Sequence, residues 1–133
     1  MAGQKITPFL MFFGQAEEAM NYYCSVFERS EIVSMQKYGP NQPGAEGTVI
    51  HAVFSLHGQT FMCIDTRRED HAFTLTPAIS FWVACETEAE VDRAFAMLSD
   101  GGAVLMPLGE YPFSRKYAWV QDKFGVSWQV SLG

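Results

Sequence analysis

Residues 126–132 read Val-Ser-Trp-Gln-Val-Ser-Leu, apolar and polar side chains in strict alternation. In an extended strand successive side chains point to opposite faces, so Val126, Trp128, Val130 and Leu132 share one face, and Ser127, Gln129 and Ser131 the other. Such a stretch needs a sheet with an apolar layer against one side, and it leaves a polar side open to solvent or a ligand. The preceding run, Tyr117-Ala118-Trp119-Val120-Gln121, is also rich in aromatic and β-branched residues. Between the two, Gly125 can take positive φ and Asp122 can hydrogen-bond the turn backbone, which makes a hairpin.

Upstream, the hydrophobic period switches twice in the same order. Residues 6–13 form an apolar run of strand length, with Pro8 at an edge or entry position and Gly14 ending it. Ala16, Ala19, Met20, Tyr23, Cys24 and Phe27 then follow three-four spacing, an amphipathic helix with Glu17 and Glu18 at its positive end. Residues 31–38 read as a strand and 39–44 as an exposed loop. Residues 48–56 and 59–65 read as a hairpin turning at His57-Gly58. Residues 77–85 restart the series. Thr87-Glu88-Ala89-Glu90 is a capping box, Val91, Ala94, Phe95 and Leu98 line a helix face, and Gly101 ends the helix in the left-handed region. Strands at 103–108, 115–121 and 126–132 complete it. The expected class is α+β, two βαβββ modules at about 5–66 and 77–132 within a single domain, their sheets curved around a cavity.

Composition narrows the function classes. The net charge is −6, and the nine basic residues form only two short clusters, Arg67-Arg68 and Arg115-Lys116. That is too little positive charge to track a phosphate backbone, so no nucleic-acid partner is expected. No run is long enough to span a bilayer, and the amino terminus lacks a signal pattern, so a cytoplasmic protein without a membrane partner is expected. Cys24, Cys63 and Cys85 are widely spaced without a C-x-x-C pair, which suits reduced thiols in the core.

Four blocks carry a family resemblance. They are Lys5-Ile6-Thr7-Pro8-Phe9-Leu10 with Gly14-Gln15-Ala16-Glu17-Glu18-Ala19, His71-Ala72-Phe73 with Thr76-Pro77-Ala78-Ile79-Ser80-Phe81, Gly101-Gly102, and Asp122-Lys123-Phe124-Gly125-Val126-Ser127-Trp128-Gln129. In this order they resemble the vicinal oxygen chelate superfamily of glyoxalase I, bleomycin-resistance proteins and extradiol dioxygenases. More narrowly, they resemble its PhnB-like, 3-demethylubiquinone-9 3-methyltransferase-like branch. The resemblance implies two βαβββ modules, a homodimer, and a divalent ion held by His and Glu from the first and last strands of each module. Carried over, the ligand positions fall on Pro8, on Cys63 or Asp65, on Ala78 and on Gln129. Proline and alanine cannot ligate, and an amide is a poor substitute for a carboxylate. His51 and His57 lie six residues apart, roughly 20 Å along a strand, too far to share an ion. No metal and no cofactor are expected.

Alternation suggests what lines the cavity instead. Leu10 and Phe12 accompany Pro8, Ser80 and Trp82 accompany Ala78, and Arg115, Tyr117 and Trp119 share a face of the penultimate strand. With Cys63 and Gln129 these form an expected small-molecule site of aromatic walls and a few polar anchors. Phe12, Trp82 and Trp119 would equally serve as core. His71 and Asp65 are the candidates for acid–base chemistry, or else a loop hydrogen bond and a turn cap. Neither is expected in the core, and the facing of His51 depends on hairpin register. The favoured function is metal-free binding of a small aromatic or amphipathic molecule. The alternatives are a glyoxalase-type metal-dependent lyase, isomerase or dioxygenase, and the methyl transfer in the family label. Against the last, a lone Gly14 after the first strand lacks the glycine-rich turn of doubly wound methyltransferases.

Overall fold

The structure, a computed structural model, describes residues 4–133 except the side chain of Arg68. The start of the amino-terminal reading, residues 1–3, and one arginine of the Arg67-Arg68 cluster therefore lie outside the description. Contacts divide the chain into two compact units, one ending at Phe73 and the other spanning Thr74–Gly133.

The first unit contains β1 (Phe9–Phe12), α1 (Ala16–Val26), β2 (Glu31–Lys37), β3 (Val49–Leu56) and β4 (Gln59–Asp65). A single 3-10 turn, Arg68–Asp70, follows, which periodicity did not signal. The second unit contains β5 (Phe81–Cys85), α2 (Glu88–Ser99), β6 (Ala103–Tyr111), β7 (Ser114–Gln121) and β8 (Ser127–Leu132). Each unit is thus strand, helix, strand, strand, strand, as the periods require. The sheet orders correspond, β1-β4-β3-β2 and β5-β8-β7-β6, and neither sheet closes on itself. In each, the first strand lies parallel to the last, because a helical crossover separates it from the antiparallel meander.

Local chemistry sets these elements. His57 and Gly58 both have positive φ, +50° and +88°, the type I′ geometry that matches strand twist in a two-residue hairpin. At the start of α2, Thr87 Oγ1 accepts from the Glu90 amide at 3.1 Å, and Glu90 Oε1 accepts from the Glu86 amide at 2.8 Å. In the β7–β8 turn, Asp122 Oδ1 accepts from the Phe124 and Val126 amides, and its Oδ2 accepts from the Trp128 indole at 2.8 Å.

One face of each sheet is covered by its helix. Tyr23 of α1 stacks on Phe54, which stacks in turn on Phe61, with centroids 6.4 and 5.2 Å apart. Val91, Ala94 and Leu98 of α2 are buried, as are Trp128, Val130, Val120 and Ala118 of the sheet. Lys116 on that face pairs with Asp92 of α2 at 2.7 Å. Two expected strands are shorter than the apolar runs suggested. β1 begins at Phe9, and β5 begins at Phe81 because residues 77–79 turn, with Thr76 Oγ1 accepting from the Ala78 amide.

Candidate functional site

The helix-free face of the second unit brings most of the expected residues together. Register places Trp82 beside Gln129 and Gln129 beside Trp119, one row across β5, β8 and β7. The next row joins Ala84, Ser131 and Tyr117. The Tyr117 hydroxyl donates to Gln129 Oε1, and Gln129 Nε2 donates to Ser80 Oγ at 2.6 Å. Trp119 Nε1 donates to Ser127 Oγ at 2.8 Å, and Ser131 Oγ donates to Ser114 Oγ at 2.8 Å. Rings surround this polar row: Tyr111 and Phe113 meet Tyr117 edge-on, and Trp82 lies 5.8 Å from it. Tyr117 is buried, whereas Trp82 is 54% exposed. Burial first, and Tyr111 second, push the Tyr117 hydroxyl above its ordinary range, so it stays protonated and donating.

Tyr111 and Phe113 were missed by the sequence reading. β6 runs three residues beyond its expected end, through irregular register, and carries Tyr111 onto Tyr117. Arg115 shares the alternation of Tyr117 but is exposed at the start of β7, with no hydrogen bond or ion pair among the described residues. Ala78 lies in the turn before β5, so the alternation that linked it to Ser80 does not apply.

In the first unit the expected facing is corrected. Leu10 pairs with Cys63 and Phe12 with Asp65, on the same side of the sheet as Phe61 and Phe54, against α1. Phe12 and Cys63 are therefore core, at 2% and 0% exposure, and line no open site. The helix-free positions are their neighbours: Phe9 beside Met62 and Met11 beside Ile64. His51 joins them, its ring 6.1 Å from Phe9. A one-residue change of phase reverses every side chain of a strand, which is why Phe12 and Cys63 face α1 while Met11 and Met62 face away from it.

Asp65 is buried, contrary to expectation. Its Oδ1 accepts from the Gly14 and Ala16 amides at 3.0 and 2.9 Å, and its Oδ2 from the Val49 amide at 2.9 Å. The carboxylate thus ties the β1–α1 turn and the start of β3 to the end of β4. It also borders a groove of about 510 Å³ that includes Phe13, Tyr38 and Thr66. His71 lies half-exposed after the 3-10 turn, its ring 5.0 Å from Phe73.

The residues do not fit a divalent ion of the implied kind. Of the carried-over positions, Pro8, Ala78 and Gln129 offer no carboxylate or imidazole, Cys63 is buried, and the Asp65 carboxylate is held by three backbone amides; His51 has Gln36 as its register partner. Among the described residues no three His, Cys, Asp or Glu side chains form a group able to hold a metal. Burial and the Asp65 charge push the Cys63 thiol up to about 12, and burial and Glu90 push Cys85 to about 11. Neither supplies a thiolate at neutral pH. Among the described residues no helix is long and apolar enough to cross a membrane.

Residues 4–131 match the model of a protein family described as 3-demethylubiquinone-9 3-methyltransferase. A PhnB protein from Bacillus cereus is 62% identical over 98% of this chain and 100% of its own, with a TM-score of 0.94. A protein from Pseudomonas aeruginosa is 26% identical over 98% of each chain, with a TM-score of 0.83. A fosfomycin resistance protein from Listeria monocytogenes is 9% identical over 100% of this chain and 95% of its own; its TM-score of 0.69 indicates a shared fold. Among curated proteins, none matches. The chain belongs to the 3-demethylubiquinone-9 3-methyltransferase family, in its PhnB-like branch, and has the paired βαβββ units of the vicinal oxygen chelate fold.

Proposed function

We propose that this protein binds a small aromatic or amphipathic molecule on the helix-free face of its second unit, without a resident metal. One observation carries the reading: Trp82 stands largely exposed beside a hydrogen-bonded row of Ser80, Gln129 and Tyr117. An indole left in water next to a few ordered polar groups combines an apolar surface with the anchors that orient a ligand. The working form in this reading is a cytoplasmic homodimer. Methyl transfer, the activity in the family's name, is not adopted. The turn after β1 has only Gly14, and each unit is an open mixed sheet rather than a doubly wound parallel one.

Titration with 1-anilinonaphthalene-8-sulfonate, followed by fluorescence, tests the proposal. Saturable binding that Trp82→Ala weakens at least tenfold supports it. Saturable binding of S-adenosylmethionine, or a stoichiometric divalent cation in the purified protein, overturns it.

A further inference from the structure

We infer that Ser80 and Gln129 make this face selective for planar ligands carrying a hydrogen-bond acceptor, aromatic carbonyl compounds above all. The inference rests on the binding reading above and adds the polarity of the ligand. A tyrosine hydroxyl has one proton, and Tyr117 gives it to Gln129 Oε1. The amide must then turn its nitrogen towards Ser80, and Nε2 donates to Ser80 Oγ at 2.6 Å. Ser80 is an acceptor in this chain, so its own proton remains, and no acceptor for it exists among the described residues.

The chain therefore runs in one direction, each donor polarising the next, and ends in a free O–H. That end lies next to the exposed indole: Gln129 is the register partner of Trp82, and Ser80 precedes Trp82 by two residues, on the same face. Of the other hydroxyls of the face, Ser131 donates to Ser114, and Ser127, which accepts from Trp119, is buried at 1% exposure. A ring stacked on Trp82 thus meets a donor and no carboxylate. An aromatic carbonyl satisfies that donor, whereas a hydrocarbon of the same shape leaves it without a partner once water is displaced.

Two ligands of nearly equal size, 2-acetylnaphthalene and 2-ethylnaphthalene, test this by NMR titration of the full chain. The wild type is expected to bind the ketone roughly three- to tenfold more tightly, the span of one neutral hydrogen bond. Ser80→Ala should bring the ratio to about one, and Ser80→Thr, which keeps the hydroxyl, should preserve it. Gln129→Glu should also abolish the preference, because a carboxylate accepts from both neighbours and takes up the Ser80 proton. The amide spectra report whether each variant is folded; should Ser80→Ala not fold, the Thr and Glu variants decide. Equal affinity for the two ligands in the wild type, or a preference unchanged in Gln129→Glu, overturns the inference and leaves the binding site standing. Absence of binding by both overturns the site itself.

Discussion

Replacing Asp65 by alanine is expected to destabilise the first unit severely, and the structure indicates by how much. The carboxylate holds three backbone amides: Gly14 and Ala16 through Oδ1 and Val49 through Oδ2, all within 3.0 Å. Gly14 is exposed, so water can replace its lost partner, but Ala16 and Val49 are fully buried. A buried donor left without a partner costs ~1–3 kcal/mol, and the bonds lost are charge-assisted; Asp65→Ala should therefore cost about 3–5 kcal/mol. Against a typical total of ~5–15 kcal/mol, that is a large share. Asp65→Asn should fall between: its oxygen can still serve Gly14 and Ala16, but its NH₂ then faces the Val49 amide, donor against donor. Urea denaturation, followed by circular dichroism, gives both values through midpoint and slope. An Asp65→Ala protein within about 0.5 kcal/mol of wild type would refute the reasoning, since ordinary surface substitutions fall in that range. Asp65 would then have to be reconsidered as a group kept for chemistry.

Two further perturbations act elsewhere. A Cβ at Gly102 would sit 2.1 Å from the Gln121 carbonyl oxygen and 2.9 Å from Asp122 Cα, backbone atoms that cannot step aside. Gly102→Ala should lower stability by ~3 kcal/mol or more, clearly beyond Gly101→Ala, where only the positive φ of +76° is strained; thermal melts of the two would contradict this by showing the reverse order. For Cys63, a folded-state value of about 12 lies above the ordinary thiol value of 9.0. The unfolded chain therefore loses that proton first. Stability is fully present below pH 9 and falls as pH rises towards 12, with a slope of at most ~1.4 kcal/mol per pH unit for this thiol. Cys63→Ala should flatten the alkaline part of the stability curve; an unchanged slope would show that the thiol does not contribute.

What could be read from the sequence was decided by where polar residues fall. In β8 the serines and Gln129 interrupt the apolar set at every second position, so period and phase are both visible, and the polar face of the second unit follows directly. The helices declared themselves in the same way, through glutamates between apolar pairs. β1 offers no such marker: Pro8, Phe9, Leu10, Met11, Phe12 and Phe13 are apolar throughout, and a strand without polar residues has a period but no phase. β4 is little better, with Phe61, Met62, Cys63 and Ile64 in succession. The facing of the first unit therefore rested on the position carried over from the resemblance, and the structure places Phe12 and Cys63 together on the side of α1. Asp65 was hidden for a different reason. Its three amide partners are 51, 49 and 16 residues away, and nothing local to a strand-end aspartate records that they converge on it. The same distance dependence explains Tyr111, which reaches Tyr117 only because the irregular register of β6 prolongs the strand. Residues whose role depends on alternation within one strand were legible from the sequence. Those whose role depends on which strands meet, and at what offset, required the fold.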